Sequence, residues 1–406
     1  MAQTTATQLG PRAIAHVKVT DDLPDLSSLS NDAPQEDLAF PGLPPFPDDT
    51  STAPLLRLNL QRLVSHDPAE EDRLWRACCE LGFFYLDLRD RAPSKRDSLH
   101  DDREGDLNGE ALLQDAETLF HLGEKVFALP AEEKQNYDFK DQGSYFGYKG
   151  LGAGVVDSKG TRDRNEFYNI SKDDILGVGS ALPAPEVLQM QESRALLKSY
   201  MQRSHAVVSL VLGQLNEKLG LPTGTLQSLH RLRAESGDQV RWVRSPPQPM
   251  DKRQMSLGEH TDFGSVTVLF NRLGGLQILP PNSSDWVYVK PLKGHCVVNL
   301  GDAMVKFSAG ILRSNMHRVV SPPRGQDELT RMSLVYFARP EDEVILKALE
   351  ESSQVREKRS QQRSQGQQDE EVISAKDWIL RRALGRRVGG DYAKSGGTEG
   401  GRTKQF

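Results

Sequence analysis

The sequence has few cysteines and lacks both a long apolar run and a secretory signal. Its three cysteines, Cys78, Cys79 and Cys296, are an odd number with two adjacent, which excludes a disulfide framework and matches no metal-ligand spacing. No stretch reaches the roughly 18 consecutive apolar residues of a membrane-spanning helix, and residues 1–16 have no apolar signal segment. We therefore expect a cytoplasmic protein in a reducing compartment, without membrane association.

The chain also lacks an excess of positive charge. Lys and Arg number 51 against 57 Asp and Glu, giving a formal net charge of -6. This balance argues against the broad basic surface with which proteins neutralise nucleic-acid phosphates, so no nucleic-acid partner is expected. Nothing in the composition indicates an oligomeric state.

Composition divides the chain into four parts. Residues 1–53 are rich in Asp, Pro, Ser and Thr and read as a disordered leader. Residues 54–235 have the pattern of a helical region with some strand, and 236–347 that of a β-rich region. Residues 348–406 form a charged tail with a short amphipathic helix near 372–384.

Helix signals dominate the first half of the ordered chain. Asp67 as N-cap, with proline at the first helical position, predicts a helix over 68–81. Further helices are predicted over 111–128 and 190–219, a buried strand over 83–86, and a polar surface insertion over 89–109.

From about residue 239 the pattern changes to short β-branched runs separated by turn residues. Several such strands at this spacing indicate an all-β sandwich or barrel. The predicted strands are 266–270, 276–279, 286–289, 296–300 and 331–337.

His260 and Asp262 are the notable local cluster. In an extended segment, residues two apart point to the same face, so this imidazole and carboxylate project together. A barrel can bring His317 beside them, and two histidines with one carboxylate are typical of non-haem Fe(II) oxygenases. The alternative is that Asp262 caps a turn and the histidines bind nothing. His205 and His230 read as packed or solvated residues, and His295 as a turn residue.

A second candidate site lies in the strand that begins at Arg331. Strand alternation places Arg331 and Ser333 on one face, and Met332, Leu334 and Tyr336 on the other. A buried arginine would need an anion, and its planar fork suits a carboxylate. The alternative is an edge strand whose Arg331 and Ser333 face solvent.

Eight short segments follow one another along the chain: Gly82-Phe83-Phe84-Tyr85, Phe127-Ala128-Leu129-Pro130, Phe146-Gly147-Tyr148-Lys149-Gly150, His260-Thr261-Asp262-Phe263-Gly264-Ser265, Gly274-Gly275-Leu276-Gln277, Val297-Val298-Asn299-Leu300-Gly301-Asp302, His317-Arg318-Val319 and Arg331-Met332-Ser333. Taken in order, these segments resemble the motifs of the 2-oxoglutarate and Fe(II)-dependent dioxygenases, in the isopenicillin N synthase-like branch. The resemblance covers about residues 54–340 and implies an α+β protein: a double-stranded β-helix, or jelly roll, with N-terminal and flanking helices.

The resemblance also implies a site. Fe(II) would be held by His260, Asp262 and His317, and 2-oxoglutarate would chelate it, with its far carboxylate on Arg331 and Ser333. Dioxygen would be the oxidant and ascorbate a candidate activator. One departure stands out: many members carry an Asn-Tyr-Tyr-Pro-like strand whose last tyrosine helps to hold the cosubstrate, whereas this chain has Val243-Arg244-Ser245-Pro246.

The expected function is hydroxylation, desaturation or cyclisation of a small, specialised metabolite, with release of succinate and carbon dioxide. An oxidase that does not consume 2-oxoglutarate and a non-catalytic binding protein stay as alternatives. A structural zinc site is disfavoured, because no cysteine accompanies the histidines. Candidate substrate contacts are Tyr145, Phe146, Tyr148, Phe167, Tyr168 and Trp242.

Overall fold

Twelve strands and eleven α-helices occur in the part of the chain that the computed structural model describes, residues 38–90, 107–248, 255–367, 371–395 and 398. The strands are β1 (Arg57–Asn59), β2 (Phe83–Asp87), β3 (Gly147–Lys149), β4 (Glu166–Ser171), β5 (Gln239–Ser245), β6 (Leu257–His260), β7 (Val266–Asn271), β8 (Leu276–Ile278), β9 (Val287–Tyr288), β10 (His295–Leu300), β11 (His317–Val319) and β12 (Arg331–Ala338). The helices are α1 (Leu60–Val64), α2 (Pro68–Glu80), α3 (Gly109–Ala128), α4 (Ala131–Gln135), α5 (Lys172–Leu176), α6 (Glu186–Gln189), α7 (Gln191–Lys218), α8 (Thr225–Ser228), α9 (Asp302–Phe307), α10 (Ser353–Ser364) and α11 (Ala375–Gly385).

The long helices begin and end where their local chemistry predicts. In α2 the Asp67 carboxylate accepts hydrogen bonds from the backbone N–H groups of Ala69 and Glu70, and Gly82 beyond the helix has a φ of 68°. The predicted helices over 68–81, 111–128 and 190–219 are confirmed as α2, α3 and α7.

The strands form two sheets. The large sheet has the order β1-β2-β10-β7-β12-β5-β4-β3, and the small sheet has the order β6-β11-β8-β9. Every pairing except β1 with β2 is antiparallel. Consequently β12, between β5 and β7, is a central strand and not an edge strand.

Alternation along the large sheet separates two apolar clusters. On one face, Leu334 and Tyr336 pack with residues of α3 and α7, as the strand pattern predicts. On the other face, Val335 packs with residues of the small sheet such as Ile278. The resulting order of layers is helices, large sheet and small sheet, and the functional side chains lie between the two sheets.

Residues 38–53 differ from the expected disordered leader. Phe46 is buried, the backbone N–H of Ala53 donates to the Tyr288 carbonyl at 2.7 Å, and Gln326 Nε2 donates to the Pro44 carbonyl at 2.8 Å. Prolines exclude regular helix and strand here but do not prevent packing. The rest of the leader, 1–37, and most of the predicted insertion, 91–106, lie outside the described residues.

The charged tail contains more regular structure than its composition indicates. Helix α10 is capped by Ser352 and buries Val355, and α11 matches the helix expected near 372–384. Both helices pack on the body of the protein through a few buried side chains. The overall composition of the tail does not reveal them, because most of its residues are charged or polar. Among the described residues, no helix is both long and apolar enough to cross a membrane.

His295 also differs from its expected role as a turn residue. It is the first residue of β10 and is buried, and Arg57 Nε donates to its Nε2 at 3.3 Å. Burial, the largest cause, lowers the pKa of His295 to about 4. It lies outside the cluster described next.

Candidate metal and cosubstrate site

His260, Asp262 and His317 lie together between the sheets. His260 ends β6 and pairs directly with His317, the first residue of β11. Asp262 Oδ1 is 4.0 Å from His260 Nε2 and 3.7 Å from His317 Nε2. Candidate ligand atoms of the three residues all lie within 4.8 Å of one another, and no other His, Cys, Asp or Glu trio in the described ranges has this geometry.

Both histidines are oriented by backbone carbonyls. Nδ1 of His260 is 2.8 Å from the Gly258 carbonyl, and Nδ1 of His317 is 3.1 Å from the Asn315 carbonyl. A carbonyl only accepts, so each Nδ1 carries the proton and each Nε2 keeps a lone pair for a metal. Burial, and then the neighbouring His317, hold the pKa of His260 well below its usual range, which keeps that imidazole neutral.

Asp262 presents one oxygen to the histidines and uses the other for support. Its Oδ2 accepts from Thr267 Oγ1 at 2.9 Å and from Asn299 Nδ2 at 2.6 Å. The remaining oxygen, Oδ1, faces both Nε2 atoms. Two neutral imidazoles and one carboxylate oxygen are a donor set that fits Fe(II) and leaves positions open for other ligands.

The turn that carries the cluster is supported from behind by α11. Arg382 and Asp302, both fully buried, form an ion pair at 2.5 Å. Asp302 also accepts from Thr261 Oγ1 at 2.9 Å, and Arg382 Nη2 donates to the Thr261 carbonyl at 3.2 Å. Thr261 stands between two of the clustered residues, so the tail fixes their backbone.

Arg331 lies at one end of the same cavity. It is 2% exposed; its Nε donates to the Gly274 carbonyl at 2.8 Å, and Nη1 lies 3.4 Å from Ser333 Oγ. Burial lowers its pKa to about 10, and no carboxylate of the described residues pairs with it. The solvent-facing alternative is therefore wrong, because β12 is central and this face points inward.

Ser245 stands opposite Arg331 in the β5–β12 pairing. It is buried in the wall of the cavity, and its hydroxyl has no hydrogen-bond partner among the residues described. This is the position at which the family's strand would carry its tyrosine. The Ser245 hydroxyl has no hydrogen-bond partner and the Arg331 guanidinium has no acidic partner among the described residues. Because they lie on adjacent strands, the two groups suit a bound carboxylate.

Of the six aromatic residues predicted to contact substrate, Tyr145 and Phe167 line the cavity. Tyr148, Tyr168 and Trp242 are buried in the apolar cluster on the helical side of the large sheet. Alternation explains the difference, because Phe167 and Tyr168 are neighbours on one strand and face opposite sides. Phe146 does not line the cavity; its ring centroid is 4.6 Å from that of Tyr145.

Sequence reasoning missed the basic side chains at the other end of the cavity. Arg241, Arg339 and Arg386 line it together with Lys149 and Arg387. Alternation on β5 could have placed Arg241 on the same face as Val243 and Ser245. Nothing local indicates that β5, the end of β12 and α11 converge there.

Two family models match the chain. The 2OG-Fe(II) oxygenase superfamily matches residues 231–340, and the model described as non-haem dioxygenase in morphine synthesis N-terminal matches residues 109–185. A 2-oxoglutarate-dependent dioxygenase from Aspergillus fumigatus is 31% identical, over 75% of this chain and 80% of its own. The 2-oxoglutarate-dependent dioxygenase frbH from Dothideomycetidae sp. is 32% identical, over 72% of this chain and 84% of its own.

The fold is similar to that of a solved structure. Full-length Neurospora crassa T7H, in complex with alpha-KG and thymine, has a TM-score of 0.63 and 21% identity, over 81% of this chain and 96% of that one. Such neighbours imply a jelly-roll core. The chain belongs to the 2OG-Fe(II) oxygenase superfamily. It is a 2-oxoglutarate-dependent non-haem iron dioxygenase, an oxidoreductase whose cofactor is Fe(II) and whose cosubstrate is 2-oxoglutarate.

Proposed function

We propose that the two sheets form a double-stranded β-helix in which His260, Asp262 and His317 hold Fe(II). Arg331 and Ser333 bind the far carboxylate of 2-oxoglutarate. The enzyme hydroxylates, desaturates or cyclises a small organic metabolite of specialised metabolism and releases succinate and carbon dioxide.

The observation that carries this proposal is the shared cavity. Three donor atoms that would leave a metal with open coordination positions, and a buried guanidinium with no acidic partner among the described residues, line the same space. An unpaired buried cation is costly, so its retention indicates a bound anion. When bound, Fe(II) and 2-oxoglutarate supply the activation of dioxygen and the oxidation of a substrate carbon.

The chain's own residues hold and orient these groups. The Nδ1–carbonyl hydrogen bonds fix both imidazoles, and Thr267 and Asn299 fix the carboxylate of Asp262. Apolar side chains exclude water around them, which strengthens every charge interaction inside. They include Phe83, Leu269, Leu276, Val319 and Val335.

The small-molecule and metabolic parts of the proposal rest on the lining of the cavity and on the relatives of this chain. The cavity is lined by aromatic and aliphatic side chains together with many polar and charged ones, which suits a small organic ligand that carries polar groups. The fungal relatives named above are 2-oxoglutarate-dependent dioxygenases. Three free cysteines support a cytoplasmic location.

An anaerobic titration tests the proposal. Fe(II) and then 2-oxoglutarate are added to the full chain, to His260→Ala, and to His121→Ala, an exposed histidine on α3 used as the matched control. We expect the visible charge-transfer band of a chelated keto acid in the intact protein and in His121→Ala, and no band in His260→Ala. Tight Fe(II) binding without the band would instead favour the oxidase that consumes no keto acid.

A further inference from the structure

The end of the cavity opposite Arg331 holds more positive charge than its own acids neutralise. Lys149 pairs with Asp163, and Arg387 pairs with Asp138 at 2.5 Å. Three further arginines line the same end, and none of them has a carboxylate within ion-pair distance in the part of the chain that is described. They are Arg241, Arg339 and Arg386.

Iron and cosubstrate do not neutralise this excess. If the proposed function holds, the formal charges of Fe(II), the Asp262 carboxylate, the 2-oxoglutarate dianion and the Arg331 guanidinium cancel. Arg331 also lies far from the three arginines that have no acidic partner among the described residues. Ser245 lies opposite Arg331, and Arg241 is four residues further along β5, about 13 Å at the usual rise of a strand. The anion that these arginines require is therefore a different one.

Arg241 is the best placed of the three arginines. Its Nε donates to Asn169 Oδ1 at 2.6 Å, and its guanidinium carbon lies 4.3 Å from the ring centroid of Phe167 and 5.1 Å from that of Phe337. These contacts fix the plane of the guanidinium. Both Nη atoms lack a hydrogen-bond partner among the described residues, so two parallel donors are available to the cavity.

The neighbouring arginines, Arg339 and Arg386, already donate hydrogen bonds to backbone carbonyls. Arg339 is 4% exposed and donates to the Gly237 carbonyl, and Arg386 Nη2 donates to the Glu259 carbonyl at 3.2 Å. The charge of Arg339 still acts on Arg241: burial first, and then Arg339, lower the pKa of Arg241 to about 9, against an opposing effect of the Asp262 carboxylate. A guanidinium under like-charge repulsion gains more from an anion than an isolated one does.

We propose that the substrate carries a carboxylate and that Arg241 binds it through its two Nη atoms, with Arg339 and Arg386 supplying further positive charge. This inference deepens the proposed function and rests on it. The apolar body of the substrate would lie against Phe167 and Phe337, toward the metal ligands. A planar guanidinium held flat by two rings and one amide is preorganised for bidentate recognition, which separates a carboxylate from its neutral amide.

Matched pairs of probes test the inference. Cinnamate and cinnamamide, indole-3-acetate and indole-3-acetamide, and octanoate and octanamide are titrated anaerobically by calorimetry into full-length protein saturated with Fe(II) and 2-oxoglutarate. We expect at least one carboxylate to bind at least tenfold more tightly than its amide. Saturating 2-oxoglutarate keeps the probes from Arg331, and an unchanged charge-transfer band shows that the cosubstrate stays bound.

Three variants assign the preference to one residue. Arg241→Gln should remove it, lowering carboxylate affinity at least tenfold while changing 2-oxoglutarate affinity less than twofold. The same change in Arg244→Gln, on the opposite face of β5 and paired with Glu166, should leave the preference intact. Arg241→Lys, which keeps the charge but loses the planar fork, should retain part of it.

The inference would be overturned if no carboxylate bound, if amides bound as well as carboxylates, or if Arg241→Gln weakened both equally. An intact protein that gives no keto-acid band would count against the proposed function. A normal band without a carboxylate preference would count against this inference alone.

Discussion

The two ends of the cavity differ in how their charges are arranged. At the Arg331 end, one guanidinium, two serine hydroxyls and the three proposed metal ligands suit the charge and the carboxylates of 2-oxoglutarate. At the Arg241 end, three guanidinium groups have no acidic partner in the described part of the chain. From this difference we infer that the first end binds the cosubstrate and the second end binds the substrate.

The largest expected effect concerns the support that α11 gives to the metal-ligand turn. Arg382→Met leaves Asp302 buried without its partner, which should cost about 3–5 kcal/mol of unfolding free energy. It should also weaken Fe(II) binding, because the Thr261 carbonyl loses its donor. Urea unfolding and Fe(II) titration measure the two effects.

Arg381→Met is the control for this prediction. Arg381 lies on the same helix but is partly exposed and pairs with Glu371 at 2.8 Å. Its loss should change the unfolding free energy by less than about 1 kcal/mol. Equal effects of the two variants would show that the tail does not support the metal site.

Arg331→Met tests the cosubstrate end. We expect 2-oxoglutarate affinity to fall at least ~100-fold, since a buried charge pair of this kind is worth about 2–5 kcal/mol. The melting temperature without 2-oxoglutarate should not fall, because the variant removes a buried charge that has no acidic partner in the described residues. Calorimetry and thermal unfolding measure both.

Arg318→Met, on the small sheet, is the matched control for Arg331→Met. Arg318 on β11 donates to Gln277 at 2.9 Å and contacts Glu259, outside the cavity. Arg318→Met should leave 2-oxoglutarate binding unchanged. A large drop in the stability of ligand-free Arg331→Met would mean that Arg331 is a structural residue and that the two ends do not differ as described.

The stability of the scaffold should depend on pH through His230, which lies at neither end of the cavity. His230 is buried, with Nδ1 at 2.7 Å from the Leu226 carbonyl and Nε2 at 2.6 Å from Ser265 Oγ, and burial lowers its pKa to about 4. The unfolded chain takes up this proton near pH 6.5 and the folded chain only near pH 4. The contribution of neutral His230 to the unfolding free energy is therefore fully present above pH 6.5 and is lost as the pH falls toward 4.

His230→Gln should remove this contribution, while those of His260 and His295 remain. Between pH 7.5 and 5 the single group contributes a loss of about 2 kcal/mol in the intact protein, which the variant should lack. Urea unfolding at several pH values measures it. Equal slopes for the two proteins would show that His230 is not neutral in the folded state at pH 5.

Ser245→Ala should give the smallest effect. If the unpaired hydroxyl donates to the cosubstrate carboxylate, its loss should weaken 2-oxoglutarate binding by about 1–1.5 kcal/mol, roughly tenfold. Fe(II) affinity and carboxylate-probe affinity should stay unchanged. An unaltered 2-oxoglutarate affinity would mean that Ser245 does not replace the family's tyrosine.

Local pattern predicted much of the fold. The proline and cap at the start of α2, the apolar periodicity of α7 and the alternation of β12 depend on neighbours in sequence, and the structure agrees with each. Residues 38–53 differ from the predicted disordered leader, and helix α10 was not predicted, because the packing of both segments depends on distant partners. Pro44, for example, meets Gln326, which is 282 residues away in the chain.

The residues of the proposed cosubstrate end could be predicted from the sequence alone. The types and order of His260, Asp262, His317, Arg331 and Ser333 indicated their chemistry, because metal and carboxylate recognition restrict which residues can serve. The Arg241 end could be recognised only in the folded structure. Arginines from β5, the end of β12 and α11 are ordinary in sequence, and only the fold places these three together with no carboxylate of the described residues within ion-pair distance of them.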